Sequence, residues 1–199
     1  MKIYLIRHCE SEDDILNCYG GCADFDLTDF GRETAKKASN NLVGLNIQKI
    51  FSSPYKRAKN TAKIFGDKIG VDIEIVNDLR EHNVHGVMAG VNKDLAKEIF
   101  SFWLGQEQYK GYGYSAGKSF YGGEDVKEFD ARVKKSFKYV AKQNFETVAV
   151  VAHGGVFRST YKNILGKTEK LVEIEDAAMI EINYVNGKFN LARTKGVKI

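Results

Sequence analysis

The chain has 199 residues, 43% of them hydrophobic as in ordinary soluble domains, and a formal net charge of +4. A chain of this length can bury a sizeable core, and we expect a single domain over residues 1–199. Its basic residues are scattered, which argues against a nucleic-acid partner, because such proteins concentrate basic residues in a stripe or cluster. No apolar run has membrane-spanning length and no signal peptide is present, so we predict a cytoplasmic protein without a membrane partner.

Three cysteines fall near the beginning of the chain, at positions 9, 18 and 22. Thiols in the cytoplasm are normally reduced, so free cysteines are expected. His8 is adjacent to Cys9, but the spacings of Cys9, Cys18 and Cys22 do not match those of a zinc finger or zinc knuckle. We therefore predict no metal site.

The first predicted strand, residues 3–6, is a short run of strand-forming apolar residues that ends at Arg7 and His8. A loop over residues 10–27 follows, with Gly21 near its centre. Thr28 then suits the N-cap position of a helix.

Two further strands are predicted before the middle of the chain. Residues 49–53 form the second, and Pro54 suits the first turn of a helix that carries Arg57. Residues 72–76 form the third, and Glu81 follows shortly after it.

The alternation of strands and helices breaks over residues 86–123, which we interpret as an inserted cap. Residues 94–104 predict a helix, and residues 105–123 an irregular segment of the kind that often forms a lid. The aromatic residues here could stack on a substrate ring, but aromatic residues more often pack in a core, and core packing is our prediction. They are Trp103, Tyr109, Tyr112, Tyr114 and Tyr121.

Regular elements return after the cap. Residues 124–142 predict a long helix with its charges on a solvated face, and residues 147–152 a strand that ends at His153. A helix over 156–165 follows, and Asn186-Gly187 is a hairpin signal between strands at 178–184 and 188–194. The elements together predict an α/β fold: a three-layer α/β/α sandwich with a mostly parallel sheet, an inserted cap and a C-terminal β-hairpin.

Several predicted strands end at residues suited to phosphate chemistry. The ligand crevice of an open parallel sheet lies beyond the carboxyl ends of its strands, so these residues should meet at one edge. Phosphoryl transfer depends mainly on positioning and on neutralising charge, which arginines, a protonated histidine and a helix-start N–H can provide. Nearby cations would lower the pKa of a histidine nucleophile and keep it neutral. The candidates are His8 as nucleophile, Glu81 as general acid, and Arg7, Arg57, protonated His153 and Gly154 as phosphate-binding groups.

Each of these residues also has a structural interpretation when taken alone. A histidine after a strand is usually structural, Arg57 suits an ordinary helix surface, and acidic loop residues such as Glu81 are common. His82 and His85 have no partner at a meaningful spacing, and we interpret them as surface residues or as residues behind the site. Only the recurrence of suitable groups at several strand ends favours a site.

Five segments resemble the histidine phosphatase superfamily, the phosphoglycerate-mutase-like proteins, in order and spacing across nearly the whole chain. Residues 5–11, Leu-Ile-Arg-His-Cys-Glu-Ser, are similar to its Arg-His-Gly signature, and residues 52–62 to its second motif. Residues 79–81, 122–125 and 151–158 are similar to its acid-bearing segment, the segment after the cap and its last motif. The resemblance implies a phosphohistidine intermediate on His8, phosphate held by Arg7, Arg57 and His153, Glu81 as proton donor and later base, Gly21 close to the substrate, and no metal.

Two positions depart from the family's pattern. Cys9 stands where the family usually has glycine, and its adjacency to Arg7 suggests an activated thiol whose oxidation inhibits the enzyme. Asp14 stands where many members carry a phosphate-contacting asparagine. We assign Asp14 no role and take Asn17 as the candidate substitute.

Residues 90–93 are similar to a substrate-holding segment of the cofactor-dependent phosphoglycerate mutases, which makes Lys93 a candidate substrate-binding residue. The cap lacks the adjacent arginine pair of those mutases. We therefore favour a metal-independent phosphomonoesterase of the α-ribazole-phosphatase-like or broad-specificity kind, acting on a small phosphorylated metabolite without a cofactor. A phosphoglycerate mutase that uses 2,3-bisphosphoglycerate is the alternative, and a non-catalytic phosphate-binding scaffold is a second. No pattern predicts the oligomeric state.

Overall fold

A six-stranded β-sheet forms the centre of the molecule in the computed structural model, which describes residues 1–199 apart from the side chain of Ser115. The strands are β1 (Lys2–Arg7), β2 (Lys49–Ser52), β3 (Ile73–Ile75), β4 (Thr147–Ala152), β5 (Glu173–Val185) and β6 (Lys188–Lys198). Their order across the sheet is β3-β2-β4-β1-β5-β6. The first four of these are parallel, whereas β5 runs antiparallel to β1 and pairs with β6 as a hairpin. The mostly parallel sheet and the C-terminal hairpin are confirmed.

Helices cover both faces of this sheet. They are α1 (Glu12–Ile15), α2 (Asp29–Ser39), α3 (Lys56–Ile69), α4 (Lys93–Ile99), α5 (Ser101–Leu104), α6 (Val126–Ala141) and α7 (Gly154–Ser159). A wider, π-helical turn over Thr160–Ile164 continues α7. Side chains of α2 and α3 pack on one face of the sheet and those of α6 and α7 on the other, which confirms the three-layer sandwich.

The side chains of β1 explain why both faces need a cover. Ile3 and Leu5 join the core that contains α6 and α7, whereas Tyr4 and Ile6 join the core that contains α2 and α3. Successive side chains of a strand point to opposite faces of a sheet. A continuous apolar run therefore leaves no face for water, as is typical of parallel strands between helical layers.

The cap has a small core of its own, formed by Met88, Ala96 and Phe120 with Tyr109 and Tyr112 packed against them. The predicted core role of the cap aromatics holds for these two tyrosines.

Two other aromatic residues of the cap lie outside that core. Trp103 and Tyr121 are 41% and 60% exposed. Their rings stack on each other with centroids 6.0 Å apart. The predicted core packing is wrong for Trp103 and Tyr121, because their rings cover each other on the surface. Tyr114 packs against the main core instead.

Some element boundaries differ from the prediction for local reasons. The helix predicted over 94–104 is broken into α4 and α5 at Phe100, whose φ of −102° and ψ of 14° depart from helical values. The loop predicted over 10–27 contains α1, which begins where the Asp14 carboxylate accepts a hydrogen bond from the N–H of Ser11. None of the described helices has both the length and the apolarity that crossing a membrane requires.

Candidate active site

The ends of β1 and β4 bring two histidines together. These strands are parallel neighbours in which Arg7 pairs with Ala152, so His8 and His153 are the next residues on each. The N–H of His8 donates to the carbonyl oxygen of Ala152 at 3.0 Å, which extends the pairing by one residue. The two imidazole centroids are 5.1 Å apart with an interplanar angle of 62°. Both rings are buried.

The hydrogen bonding of His8 fixes its tautomer. Its Nδ1 lies 2.8 Å from the carbonyl oxygen of Cys9. Because a carbonyl oxygen only accepts hydrogen bonds, Nδ1 carries the proton and the neutral ring has its free lone pair on Nε2. Burial lowers the pKa of His8 well below its ordinary value, and the charges of Arg57 and Arg7 lower it further. The neutral ring agrees with the prediction, but burial lowers the pKa of His8 more than the neighbouring arginines that the sequence suggested as the cause.

His153 is held from the side of β2. Its Nε2 lies 2.7 Å from the hydroxyl oxygen of Ser53, the residue after that strand. Its Nδ1 is buried without a hydrogen-bond partner among the described residues. Burial, Arg57, His8 and Arg7 all lower the pKa of His153 well below its ordinary value. The lowered pKa favours a neutral His153 ring in the protein without a ligand, and a protonated His153 beside a phosphoryl group stays a prediction.

Arg57 is a buried residue near the start of α3 and not a surface arginine. Its Nη1 donates to the carbonyl oxygen of Ala23 at 2.7 Å and its Nη2 to that of Gly21 at 3.0 Å. The guanidinium carbon lies 5.3 Å from the centroid of the Tyr55 ring. A guanidinium has five N–H donors, so three remain for a ligand. The second of these bonds places Gly21, which adopts a left-handed φ of 58°, beside the site.

Arg7 is held by the C-terminal hairpin. Its Nη1 donates to the carbonyl oxygen of Ile174 and lies 3.5 Å from Oδ1 of Asp176. Burial raises the pKa of Asp176, and the charge of Arg7 opposes that shift. Both partners belong to β5, so the hairpin orients the cation that β1 delivers.

Glu81 is hydrogen-bonded to the segment that follows His153. Its Oε2 accepts a hydrogen bond from the N–H of Gly155 at 3.0 Å, and its Oε1 accepts one from the N–H of His82 at 2.7 Å. A Cβ on Gly155 would lie 2.2 Å from that Oε1, so only glycine allows the carboxylate to approach this closely. Gly154, the predicted phosphate-binding glycine, opens α7 beside it.

Arg132 fixes the segment that carries Glu81, a role that the sequence did not reveal. Its Nη1 donates to the carbonyl oxygens of Asp78 and Arg80 at 2.9 and 2.7 Å, and its Nη2 to that of Glu81 at 3.0 Å. Nε and Nη2 also bind the two carboxylate oxygens of Glu124 at 2.6 and 2.7 Å. The interpretation of the α6 charges as a solvated face is wrong for Arg132.

A cavity of about 440 Å³ adjoins these residues. Its walls include Gly21, Glu81 and Gly155 from the site, and Arg158 from α7. The other lining residues come from residues 82–85 and from the cap at residues 111–116. His8, His153, Arg7 and Arg57 are not among its lining residues, so the cavity meets the site at Gly21, Glu81 and Gly155, and we call it the active-site cavity.

His82 and His85 both line this cavity. His82 is buried and stacks on Phe129 with ring centroids 4.5 Å apart, so it lies behind the site and not on the surface. His85 lies 4.5 Å from the Tyr19 ring, and burial followed by the charge of Lys93 lowers its pKa to about 4.

Asn17 and Lys93 lie at the junction between the first loop and the cap. The N–H of Lys93 donates to the carbonyl oxygen of Asn17 at 2.8 Å, and the Asn17 amide reaches Asp94 at 3.3 Å. Neither residue is part of the active-site cavity wall, although Lys93 is near enough to act on His85. The substrate contacts of Asn17 and Lys93 stay predictions.

Cys9 and Asp14 have structural environments. Cys9 is fully buried in the core that contains α2 and α3. Burial raises the pKa of its thiol to about 12, so the predicted activation by Arg7 is wrong: burial outweighs the nearby cation. The Asp14 carboxylate is turned towards the N–H of Ser11, so its charge serves the start of α1. Among the described residues, no group of three or more histidine, cysteine, aspartate or glutamate side chains is arranged to hold a metal ion.

A family model described as histidine phosphatase superfamily (branch 1) matches residues 3–195. The chain belongs to the histidine phosphatase superfamily. The resemblance inferred from the five motifs is confirmed, and this superfamily is enzymatic, with phosphatase and mutase members.

Similar histidine phosphatases carry both kinds of name. A 2,3-bisphosphoglycerate-dependent phosphoglycerate mutase of Mesorhizobium japonicum is 31% identical over 191 residues, which cover 92% of this chain and 90% of that protein. Phosphoserine phosphatase 1 of Hydrogenobacter thermophilus is 31% identical over 172 residues, which cover 83% of this chain and 77% of that protein. The crystal structure of the α-ribazole phosphatase from Shigella flexneri shares the fold, with a TM-score of 0.81 at 18% identity, and covers 98% of this chain and 96% of that one.

Proposed function

We propose that this histidine phosphatase hydrolyses phosphomonoesters of small metabolites through a phosphohistidine on His8, without a metal. One observation supports the proposal above all others: a neutral His8 with its lone pair on Nε2 lies beside His153, Arg57 and Arg7. A nitrogen nucleophile and fixed positive charge are the two things that transfer of a phosphoryl group needs.

The arginines bind and neutralise the phosphoryl group. Arg57 has three N–H donors left after its bonds to the first loop, and its fork matches the geometry of phosphate oxygens. His153 contributes a buried Nδ1 without a partner among the described residues. An unpaired buried polar atom is costly, so a phosphoryl oxygen there would stabilise the site. A bound dianion would also favour protonation of His153, which restores the predicted cation in the complex.

The reaction then has two steps that share one acid–base group. In the first, Nε2 of His8 forms a bond to phosphorus while the ester oxygen leaves, and the protonated Glu81 gives its proton to that oxygen. In the second, the Glu81 carboxylate takes a proton from water, the water oxygen bonds to phosphorus, and the N–P bond breaks. Inorganic phosphate is released, and both His8 and Glu81 return to their starting states.

Hydrolysis is favoured over phosphoglycerate transfer by the composition of the cap. Residues 86–123 contain no arginine. The cap therefore lacks the adjacent arginine pair of the phosphoglycerate mutases, and a mutase must also keep water from the phosphohistidine between its half-reactions. The mutase stays a second candidate because a relative at 31% identity carries that name. In that case 2,3-bisphosphoglycerate would be its cofactor.

Rapid mixing with p-nitrophenyl phosphate tests the proposal. We expect a burst of p-nitrophenol equal to the enzyme concentration, insensitive to chelators and abolished in His8→Ala. His85→Asn is the matched control, because this histidine lines the cavity but has no role in the proposed reaction, and it should keep the burst. Rapid interconversion of phosphoglycerates that depends on 2,3-bisphosphoglycerate would favour the mutase. Absence of turnover in both assays would favour a non-catalytic phosphate-binding protein and overturn the proposal.

A further inference from the structure

A second cavity of about 460 Å³ lies next to the active-site cavity, on the other side of Arg158. It is lined by the end of α7, the π-helical turn after it and residues 166–171, and we call it the basic groove. Arg158 and Tyr114 line both cavities. A ligand in the active-site cavity therefore has the basic groove as its immediate neighbour.

The groove is rich in positive charge. Its wall contains Arg158, Lys162, Lys167 and Lys170 against a single carboxylate, that of Glu169. None of these four cations forms an ion pair with a carboxylate of the described residues. Cations that are gathered in a concave surface without counter-charges create a local positive potential, which attracts anions.

Some lysines elsewhere in the protein do have a carboxylate partner. Several are paired with a carboxylate one helical turn away on their own helix, as Lys36 is with Glu33 and Lys63 with Asp67. The groove is distinguished by its concentration of charge, since three lysines and an arginine line one concave surface with a single carboxylate.

Arg158 connects the groove to the reacting residues. Its Nη1 lies 3.1 Å from the position that a Cβ on Gly154 would occupy, so the guanidinium is directly beside the residue that follows His153. Tyr114 forms a fixed wall opposite, because its hydroxyl donates to Asp130 at 2.9 Å and accepts from the amide of Asn163 at 3.2 Å. A leaving group that passes Glu81 would meet these two side chains before it reached the lysines.

We propose that the basic groove binds a second anionic group, a phosphate or a carboxylate, carried by the leaving group of the substrate. The substrate is then a phosphomonoester with its second anion several bonds from the phosphoryl group that His8 attacks, as in a sugar bisphosphate. This assignment rests on the proposed phosphatase function, which did not include any group beyond the reacting phosphate.

Calorimetric titration of His8→Ala with fructose 1,6-bisphosphate and with fructose 6-phosphate tests the assignment without turnover. We expect the bisphosphate to bind about tenfold more tightly, and this advantage to disappear when Lys162→Ala and Lys167→Ala are added, since two exposed ion pairs contribute about that much. The Kd of fructose 6-phosphate should stay within about twofold in the same variant. Lys59→Ala with Lys68→Ala is the matched control, because both exposed lysines belong to α3 on the opposite face of the sheet.

The failures of the two proposals can be told apart. Equal affinity for the two sugars, or an advantage that survives the groove substitutions, overturns the basic groove as a substrate site. Hydrolysis of p-nitrophenyl phosphate, which has no second anion, is measured alongside with His8 intact, and it should be the same with and without the two groove substitutions. If that hydrolysis is absent while bisphosphate binding still depends on Lys162 and Lys167, the phosphatase proposal fails and the groove remains an anion site.

Discussion

Arg132 positions Glu81, the proposed general acid, by binding its backbone carbonyl oxygen and not its carboxylate. Its guanidinium donates to the carbonyl oxygens of Asp78, Arg80 and Glu81. It also donates to both carboxylate oxygens of Glu124. A lysine at this position keeps the charge but cannot reproduce a planar fork of five donors. We therefore expect Arg132→Lys to fold and to leave the Glu81 carboxylate misplaced.

The expected consequence of Arg132→Lys depends on the leaving group. A poor leaving group such as glycerol needs a proton from Glu81, so kcat/KM for glycerol phosphate should fall about a hundredfold. p-Nitrophenolate leaves without protonation, so kcat/KM for its phosphate should change less than about threefold on the same argument. Lys135→Ala, on the same helix and paired only with Asp78, is the control that should change neither. An equal loss for both substrates would assign Arg132 a general structural role only.

The positions of Arg7, His8 and His153 were predictable because each directly follows a recognisable apolar strand, and parallel strands end at one edge. The residues that orient these side chains were not predictable. Arg7 is held by Ile174, 167 residues away along the chain, and such long-range contacts leave no mark in local sequence patterns. The environment of Cys9 was misjudged for a related reason: adjacency to Arg7 in sequence suggested activation, whereas the packing of α2 and α3 decides its burial.

At the scale of elements, the base of the cap depends on Gly86. This residue has a φ of 55°, and a Cβ there would lie 1.9 Å from the carbonyl oxygen of Tyr121. That oxygen also accepts a hydrogen bond from the N–H of Val87 at 3.0 Å. The bond joins the beginning of the cap to its end. Gly86→Ala should displace the cap from the active-site cavity, and a displacement of about 1 Å can lower kcat/KM about a hundredfold.

Gly117→Ala separates the effect of the clash in Gly86→Ala from that of backbone strain. Gly117 also belongs to the cap and has a φ of 67°, but nothing lies within 4 Å of a Cβ placed there. Both substitutions carry the cost of a left-handed alanine, about 1 to 2 kcal/mol, and only Gly86→Ala adds a backbone clash. If the two variants have the same kcat/KM, cap closure at Gly86 does not matter for catalysis.

Long periodic elements were the part of the fold that sequence patterns captured best. The helix predicted over 124–142 is observed as α6 (Val126–Ala141), because its buried residues Phe129, Val133 and Phe137 recur at helical spacing. The break at Phe100 was missed, since α4 and α5 have a continuous apolar pattern and only the backbone angles of one residue separate them. Short elements are set by packing against the rest of the molecule more than by their own sequence.

At the scale of the whole molecule, the buried histidines make stability depend on pH. The pKa values of His8 and His153 lie well below 6.5 in the folded protein, mainly because both rings are buried. In the unfolded chain each histidine titrates near 6.5. As pH falls below that value, the unfolded state binds protons that the folded state does not, so the free energy of unfolding decreases.

The expected decrease is about 1.4 kcal/mol per pH unit for each of these histidines once the pH is well below 6.5. His85, with a pKa of about 4, adds to it with the same sign. Asp176 acts in the opposite direction, because its raised pKa lets the folded state bind a proton more readily than the unfolded chain. Since carboxylates titrate at lower pH than histidines, the window from pH 6.5 to 5.5 isolates the histidine contribution.

Urea unfolding at pH 7.5, 6.5 and 5.5 measures this dependence. His8→Asn should make the decrease in the free energy of unfolding between pH 6.5 and 5.5 smaller, by up to about 1.4 kcal/mol, the amount that one histidine contributes per pH unit. Inorganic phosphate at saturating concentration should also make it smaller, because a dianion beside His153 favours the protonated ring in the folded state. A free energy of unfolding that stays constant or rises as pH falls to 5.5 would mean that the folded protein accepts protons on these rings. His8 would then lack the neutral Nε2 on which nucleophilic attack depends.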